Sequence, residues 1–347
     1  MQLLMAQLQQ DPQTVLNNSV QSLEYNLASA IQTLSTSIKP RIAFIQGHGE
    51  LSEMETIDLH NSLSEFYNVD RVTINHKISS LAVRLNPDST ENDILVNKYR
   101  VIIIAGPLAP FDEQDKFLID QFIMRGGKVL WMVDPVQASM DSLHKYVSTM
   151  GIPNHVNLED MLFHYGVRLN TCLVQDLNAL PIPVKTGMIG DQPQFDFFKW
   201  YFFPVIIPTI NHPVVNGLNA VRTEFAGTLD TVSAEGVRKT FLLETSEYSR
   251  TLNAPVFIDL EILRQTPDER AFRKGPYPIA VLLEGTFPSA YKHRIPPDIS
   301  ENQDLGFRAI SKPTKMIVMA DGDLGKNQFH LSQGYPLPLG YDQYTRQ

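Results

Sequence analysis

Apolar positions along the chain change period near residue 40. Before it, Val20, Leu23, Leu27, Ala30 and Leu34 recur at alternating steps of three and four, which draws one narrow apolar stripe along a helix. Asp11-Pro12 supplies its start, Asp as N-cap and Pro at the first helical position, and Pro40 its end. A stripe this narrow suits either packing on the chain's own domain or a coiled-coil seam, so homo-oligomerisation through this helix is an open expectation.

From residue 41, short β-rich runs alternate with amphipathic helices, the signature of a doubly wound, mostly parallel sheet. Strands are predicted over Arg41–Gln46, Val69–Asn75, Val101–Ala105 and Lys128–Val133. The third is wholly apolar and therefore central. Ser52-Glu53-Met54-Glu55 reads as a capping box for a helix whose Leu59, Leu63, Phe66 and Tyr67 share a face. Asp112 opens a further helix that Gly126-Gly127 closes. Residues 136–235 are less regular, with helix-like segments near Asp141–Met150 and Leu158–Tyr165, and are read as an inserted lobe. Strands return at Thr240–Thr245, Ile279–Leu283 and Lys315–Ala320. The expected organisation is an N-terminal helix (1–38), an α/β domain begun over 39–135, the lobe (136–235) and completion of the α/β domain over 236–347. The fold class is α/β of the class I glutamine-amidotransferase or flavodoxin type.

In open α/β sheets, ligands bind beyond the carboxyl ends of the strands. The residues following the predicted strands are Gly47-His48-Gly49-Glu50, Gly106-Pro107, Asp134-Pro135, Thr245-Ser246-Glu247, Glu284-Gly285-Thr286 and Asp321-Gly322-Asp323. If all these strands run parallel, Gly47, His48, Gly49, Glu50, Gly106, Asp134, Ser246, Glu284, Asp321 and Asp323 meet on one rim as ligand-binding candidates. Such groups serve as acid/base or ligand-binding residues, but Gly and Asp also simply end strands and cap helices. No catalytic residue is assigned. A nucleophile is missing where an amidotransferase would carry Cys, because the central strand runs into Ala105-Gly106-Pro107. Gly47-His48-Gly49 lacks the spacing and the Lys of a phosphate loop, Asp321-Gly322-Asp323 reaches Ser332 where a calcium loop needs Glu, and no His pair has zinc spacing, so neither cofactor nor metal is expected. The competing reading is a carboxylate- or metal-dependent hydrolase of a glycan or peptide through His48, Glu50, Asp134 and Asp321.

Composition narrows the partners. The 347 residues are 43% hydrophobic and 19% charged with a formal net charge of −9 and no basic run, which argues against nucleic acid. The best apolar run, Val101–Phe111, is interrupted by Gly106, Pro107 and Pro110 and is too short to span a bilayer. Cys172 is the single cysteine and reads as a buried, inert thiol. Seven aromatic residues crowd Phe195–Pro204 among prolines, which predicts an extended, irregular path serving as lobe core or, alternatively, as an exposed patch for a protein or membrane.

The strings Gly47-His48-Gly49-Glu50, Ile104-Ala105-Gly106-Pro107, Gly126-Gly127-Lys128-Val129-Leu130, Asn157-Leu158-Glu159-Asp160, Tyr165-Gly166-Val167-Arg168 and Val174-Gln175-Asp176 resemble the gliding-motility ABC-transporter auxiliary (GldG-like) family from about residue 38 onward. The resemblance implies a periplasmic domain of a membrane-anchored protein, with an ABC permease and ATPase as partners. It also implies a substrate-binding role, for a small molecule, glycan or peptide, and brings no catalytic residues with it.

Overall fold

A computed structural model describes residues 23–85, 94–146, 148–302, 305–330 and 333–342. The Asp11-Pro12 helix start and Val20 lie outside them. The N-terminal helix is seen as α1 (Leu23–Ser35), with Leu27, Ile31 and Leu34 at 56, 66 and 88% exposure, so among the described residues nothing covers its stripe.

Seven strands form the central sheet: β1 (Arg41–Gln46), β2 (Asn68–Thr73), β3 (Val101–Ala105), β4 (Lys128–Met132), β5 (Val237–Glu244), β6 (Pro278–Gly285) and β7 (Thr314–Met319). Their order is β5-β6-β7-β4-β3-β1-β2. The pairs β2–β1, β1–β3, β3–β4 and β4–β7 are parallel, whereas β6 is antiparallel to both neighbours. Six strands therefore point one way and β6 points back. Between β1 and β3 the winding reverses, since β1 leads outward to β2 on one side and the chain then crosses to β3 on the other. That is the switch point at which α/β sheets leave a crevice.

The β-branched run of β3 is buried on both faces, as its flanking by β1 and β4 requires. Helix α3 (Glu113–Met124) lies on the sheet through Leu118, Ile119, Phe122 and Ile123, each fully buried and worth roughly 1.5–3 kcal/mol. Asp112 caps it by accepting from the Asp115 N–H at 2.8 Å. Gly126, at φ +94°, turns the chain out of the helix. At Gly127 a Cβ would sit 2.3 Å from the Phe122 ring, so only glycine lets β4 start beneath the helix. The capping box also forms: Ser52 N–H donates to Glu55 Oε2 at 2.8 Å and Glu55 N–H to Ser52 Oγ at 3.3 Å, ahead of helix α2 (Ile57–Ser64).

The stretch after β4 departs from expectation in two places. Helix Met140–Lys145 is short and gives way to a strand, Ser148–Pro153, where a continuous helix to Met150 was predicted; Gly151-Ile152-Pro153 cannot continue one. The aromatic stretch is a β-hairpin of Ala179–Ile189 and Gln192–Ile206, with register shifts at Ala179/Pro181 and Lys185/Gly187, not an irregular path. Its first strand pairs on one side only, and an edge tolerates the missing N–H groups of Pro181 and Pro183. Trp200, Phe202 and Phe203 bury with Leu173, Ile182, Phe225, Val256 and Ile258 as a second core beside the sheet. Strands Ser249–Asn253 and Val256–Asp259 join this region by pairing with Cys172–Asp176 and Ser148–Gly151. Cys172 is buried, with Sγ 3.4 Å from Thr228 Oγ1, and burial pushes its thiol pKa up.

Candidate functional site

Strand ends at the switch point bound an open crevice of about 430 Å³. Gly49, Glu50 and Leu51 after β1, Gly106 and Leu108 after β3, Asp134 after β4, and Asp323 and Lys326 after β7 form one wall. Gln137, Ser139, Ser142, Thr149, Met150 and Ile152 form the other. A second hollow of about 570 Å³ shares Glu55, Ala138, Ser139, Asp323 and Lys326 with it, and adds Arg222, Glu224, Phe225 and Phe329. The two make one continuous groove between the sheet and the second core.

Its floor is held together by glycines and carboxylates. Asp134 Oδ1 accepts from Gly322 N–H at 2.7 Å. A Cβ on Gly322 would lie 2.3 Å from Asp134 Oδ2 and 2.9 Å from Gly106 Cα, so the turns after β3, β4 and β7 meet closely only because residue 322 is glycine. Gly106 also takes φ +59°, a conformation that other residues adopt at a cost. Asp321 is fully buried and accepts from Asp323 N–H at 2.8 Å and Glu224 N–H at 3.0 Å. It staples the floor to the second core and is a structural group.

The electrostatics of the groove follow from crowding. Enclosure by protein, reinforced by the charge of Asp323 and opposed by the Gly322 N–H, raises the Asp134 pKa to about 8. Burial, with the charges of Asp134 and Asp323, lifts Asp321 well above the carboxylate range. Glu224 is also raised, by burial and Asp323 against the pull of Arg222, with which it forms an ion pair. Lys326 sits 3.0 Å from Asp323. Burial would lower its pKa, but Asp323, Glu224 and Glu55 outweigh that and raise it. At neutral pH Asp134 is therefore largely a carboxylic acid.

Only part of the expected rim assembles here. Gly49, Glu50, Gly106, Asp134 and Asp323 line the crevice, with Asp321 beneath it. His48 turns away: it is 7% exposed, stacks on Phe111 at 3.6 Å, and lies between Glu50 (Nδ1 to Oε1, 3.2 Å) and Asp115 (Nε2 to Oδ2, 3.4 Å). Its carbonyl accepts from Leu108 and Ala109 N–H, and its own N–H donates to Glu50 Oε2 at 2.7 Å. Gly47, at φ +120°, and Gly49, at +74°, shape this turn. The Gly-His-Gly-Glu loop thus ties the end of β1 to α3, and a Glu50 carboxylate committed twice to His48 has little left for a ligand. Ser246 is held in a separate knot, donating from N and Oγ to Asp176 at 2.8 and 2.6 Å. Glu284 is a correction: because β6 runs antiparallel, it lies at the opposite end of the sheet, bridged to Lys315 at 2.6 Å and to Arg238. His48–Glu50 and Asp134–Asp321 form two separate groups, with no hydrogen bond or ion pair joining them among the described residues.

Glu55, Arg222, Glu224 and Lys326 belong to the groove and were not among the expected residues. Lys326 follows Asp323 by one turn and could have been reached by extending that motif; Glu224 lies in the least regular part of the sequence and carried no signal. Among the described residues, the trio spaced for a metal is His76, Asp112 and Asp115, which contains no groove residue. These groups are already engaged with one another, His76 N–H donating to Asp115 at 2.9 Å and the His76 ring meeting Asp112.

No curated protein matches the chain. A solved structure named mmIFT52 N-terminal domain superposes with a TM-score of 0.44 at 13% identity, covering 84% of this chain and 91% of that one. Residues 39–347 match the family described as ABC-type uncharacterized transport system, which spans the whole sheet and the groove, and the chain belongs to that family of ABC-transporter auxiliary components.

Proposed function

We propose that this chain is a non-catalytic auxiliary component of an ABC transporter. It acts outside the cytoplasm as the periplasmic domain of a membrane-anchored protein, docks on the permease and ATPase assembly, and holds a small ligand in the groove. Gliding motility is the process this reading favours, on the strength of the sequence motifs quoted above.

The observation that carries the ligand-binding part is the place of the groove. It opens at the β1/β3 switch point and is walled by both the sheet and the second core, so a ligand there would contact both bodies at once. Support for the absence of chemistry comes from the crevice floor. Gly106-Pro107 stands where a nucleophile would sit, Asp321 is spent on backbone N–H groups, and His48 is closed off against Phe111. Homo-oligomerisation through α1 fits its uncovered stripe.

The test is affinity capture of the tagged full-length protein from membranes of its native host. Recovery of an ABC permease and its ATPase is the expected result. Recovery of neither, under conditions that preserve other transporter complexes, would overturn the reading.

A further inference from the structure

The hairpin Ala179–Ile189/Gln192–Ile206 reaches well beyond the second core. Ile182, opposite Phe198, is its last buried position on the first strand, and seven residues follow before the turn, roughly 20 Å of strand. Strand alternation sorts this outer part into two unlike faces. One face carries Val184, which still packs against the second core, and then Asp196, Gln194, Gln192 and Thr186, all exposed, with Thr186 Oγ1 donating to Asp196 at 2.7 Å. The pairings Pro181–Lys199, Pro183–Phe197 and Lys185–Phe195 place the other set together, and the register shift after Lys185 returns Met188 to the same side. Met188, Phe195 and Phe197 are 55, 53 and 57% exposed. From Tyr201 inward this face is covered by Phe272, at a ring separation of 5.6 Å; Lys199 donates from Nζ to the Leu177 carbonyl at 3.4 Å, and beyond it Phe197, Phe195 and Met188 stay more than half exposed.

The charges on the apolar face single out its occupant. Its two ionic side chains, Lys185 and Lys199, are both positive; of the outer hairpin's carboxylates, Asp196 sits on the reverse side and Asp191 in the turn. A second copy of the same face would bring ammonium groups against ammonium groups. Aromatic and thioether side chains flanked by lysines match the boundary between acyl chains and anionic headgroups.

We propose that this face of the hairpin lies on an anionic lipid surface and sets the orientation of the domain over the membrane. The inference is independent of the groove and of any ligand in it.

Flotation of the full chain with vesicles tests it, comparing phosphatidylcholine alone with phosphatidylcholine carrying phosphatidylglycerol. The chain should float with the anionic vesicles. F195S/F197S should lower its partition by about tenfold or more, and K185E/K199E should abolish the preference for phosphatidylglycerol, both with the wild-type urea midpoint. Absence of flotation with the anionic vesicles would overturn the proposal, as would partition unchanged in F195S/F197S. A concentration-dependent solution mass that F195S/F197S removes would assign the face to a second copy, which also overturns it.

Discussion

Replacing Asp134 by Asn probes the groove with almost no change of shape. Asn keeps an oxygen for the Gly322 N–H and does not titrate. The native carboxyl is held at about 8, against roughly 3.9 in an unfolded chain. Between those values the folded state keeps a proton that the unfolded state releases, so this group's contribution to stability is complete below about pH 4 and declines as pH rises toward 8. A one-proton difference corresponds to about 1.4 kcal/mol per pH unit, or close to 3 kcal/mol from pH 5 to pH 7. Asp321 and Glu224 are raised by the same enclosure and add to the slope in the same direction. Carboxylates with depressed pKa, such as Glu55, Asp112 and Asp160, act in the opposite sense, but their stabilisation is lost only below the ordinary carboxylate range and leaves this window clear. Urea midpoints of D134N and wild type, measured at half-unit steps from pH 5 to pH 8, should show the wild type losing stability throughout and D134N losing it less steeply. A wild type that is flat or gains stability across the window, or two parallel curves, would refute the reasoning.

Three further outcomes follow from the packing. Gly322→Ala should cost about 2 kcal/mol or more by urea denaturation, because its Cβ meets Asp134 Oδ2 at 2.3 Å and backbone at 2.9 Å; the same change at Gly190, where nothing lies within 4 Å, meets no such clash and should cost less, the strain of φ +61° aside. Asp120→Ala should be the more damaging, about 3 kcal/mol or more in the same assay. This fully buried carboxylate accepts from Tyr165 Oη, Ser289 Oγ, Ala290 N and Gln121 Nε2, and its removal strands those donors in the core. Removal of residues 1–38 should abolish any concentration-dependent rise in mass seen by light scattering, since the stripe of Leu27, Ile31 and Leu34 goes with them; a rise that survives the truncation would exclude the helix as the contact.

What could be read in advance divides along a physical line. Strand positions were legible because burial on both faces demands unbroken β-branched runs: Arg41–Gln46 and Val101–Ala105 coincide with the observed strands, and the remaining sheet strands differ by a few residues at their ends. Direction was not legible. Nothing in Pro278–Gly285 distinguishes a strand running with the sheet from one running against it, because residue identity sets burial and not polarity, and this alone moved Glu284 to the far end. Loops were harder still. Gly-His-Gly-Glu has the composition of a binding loop, yet a histidine with a carboxylate on each ring nitrogen and an aromatic ring on its face is fully satisfied, and only the long-range approach of Phe111 and Asp115 makes it so. The aromatic run failed differently, since it is core over one part and exposed over another. Trp200, Phe202 and Phe203 are core, while Phe195 and Phe197 are exposed, because one strand leaves the second core partway along its length. A strand's alternation says which residues share a face but not where along the strand the cover stops. At that exposed end the lysines become informative, since both lie on the apolar side of a hairpin whose strand carboxylate, Asp196, lies on the other.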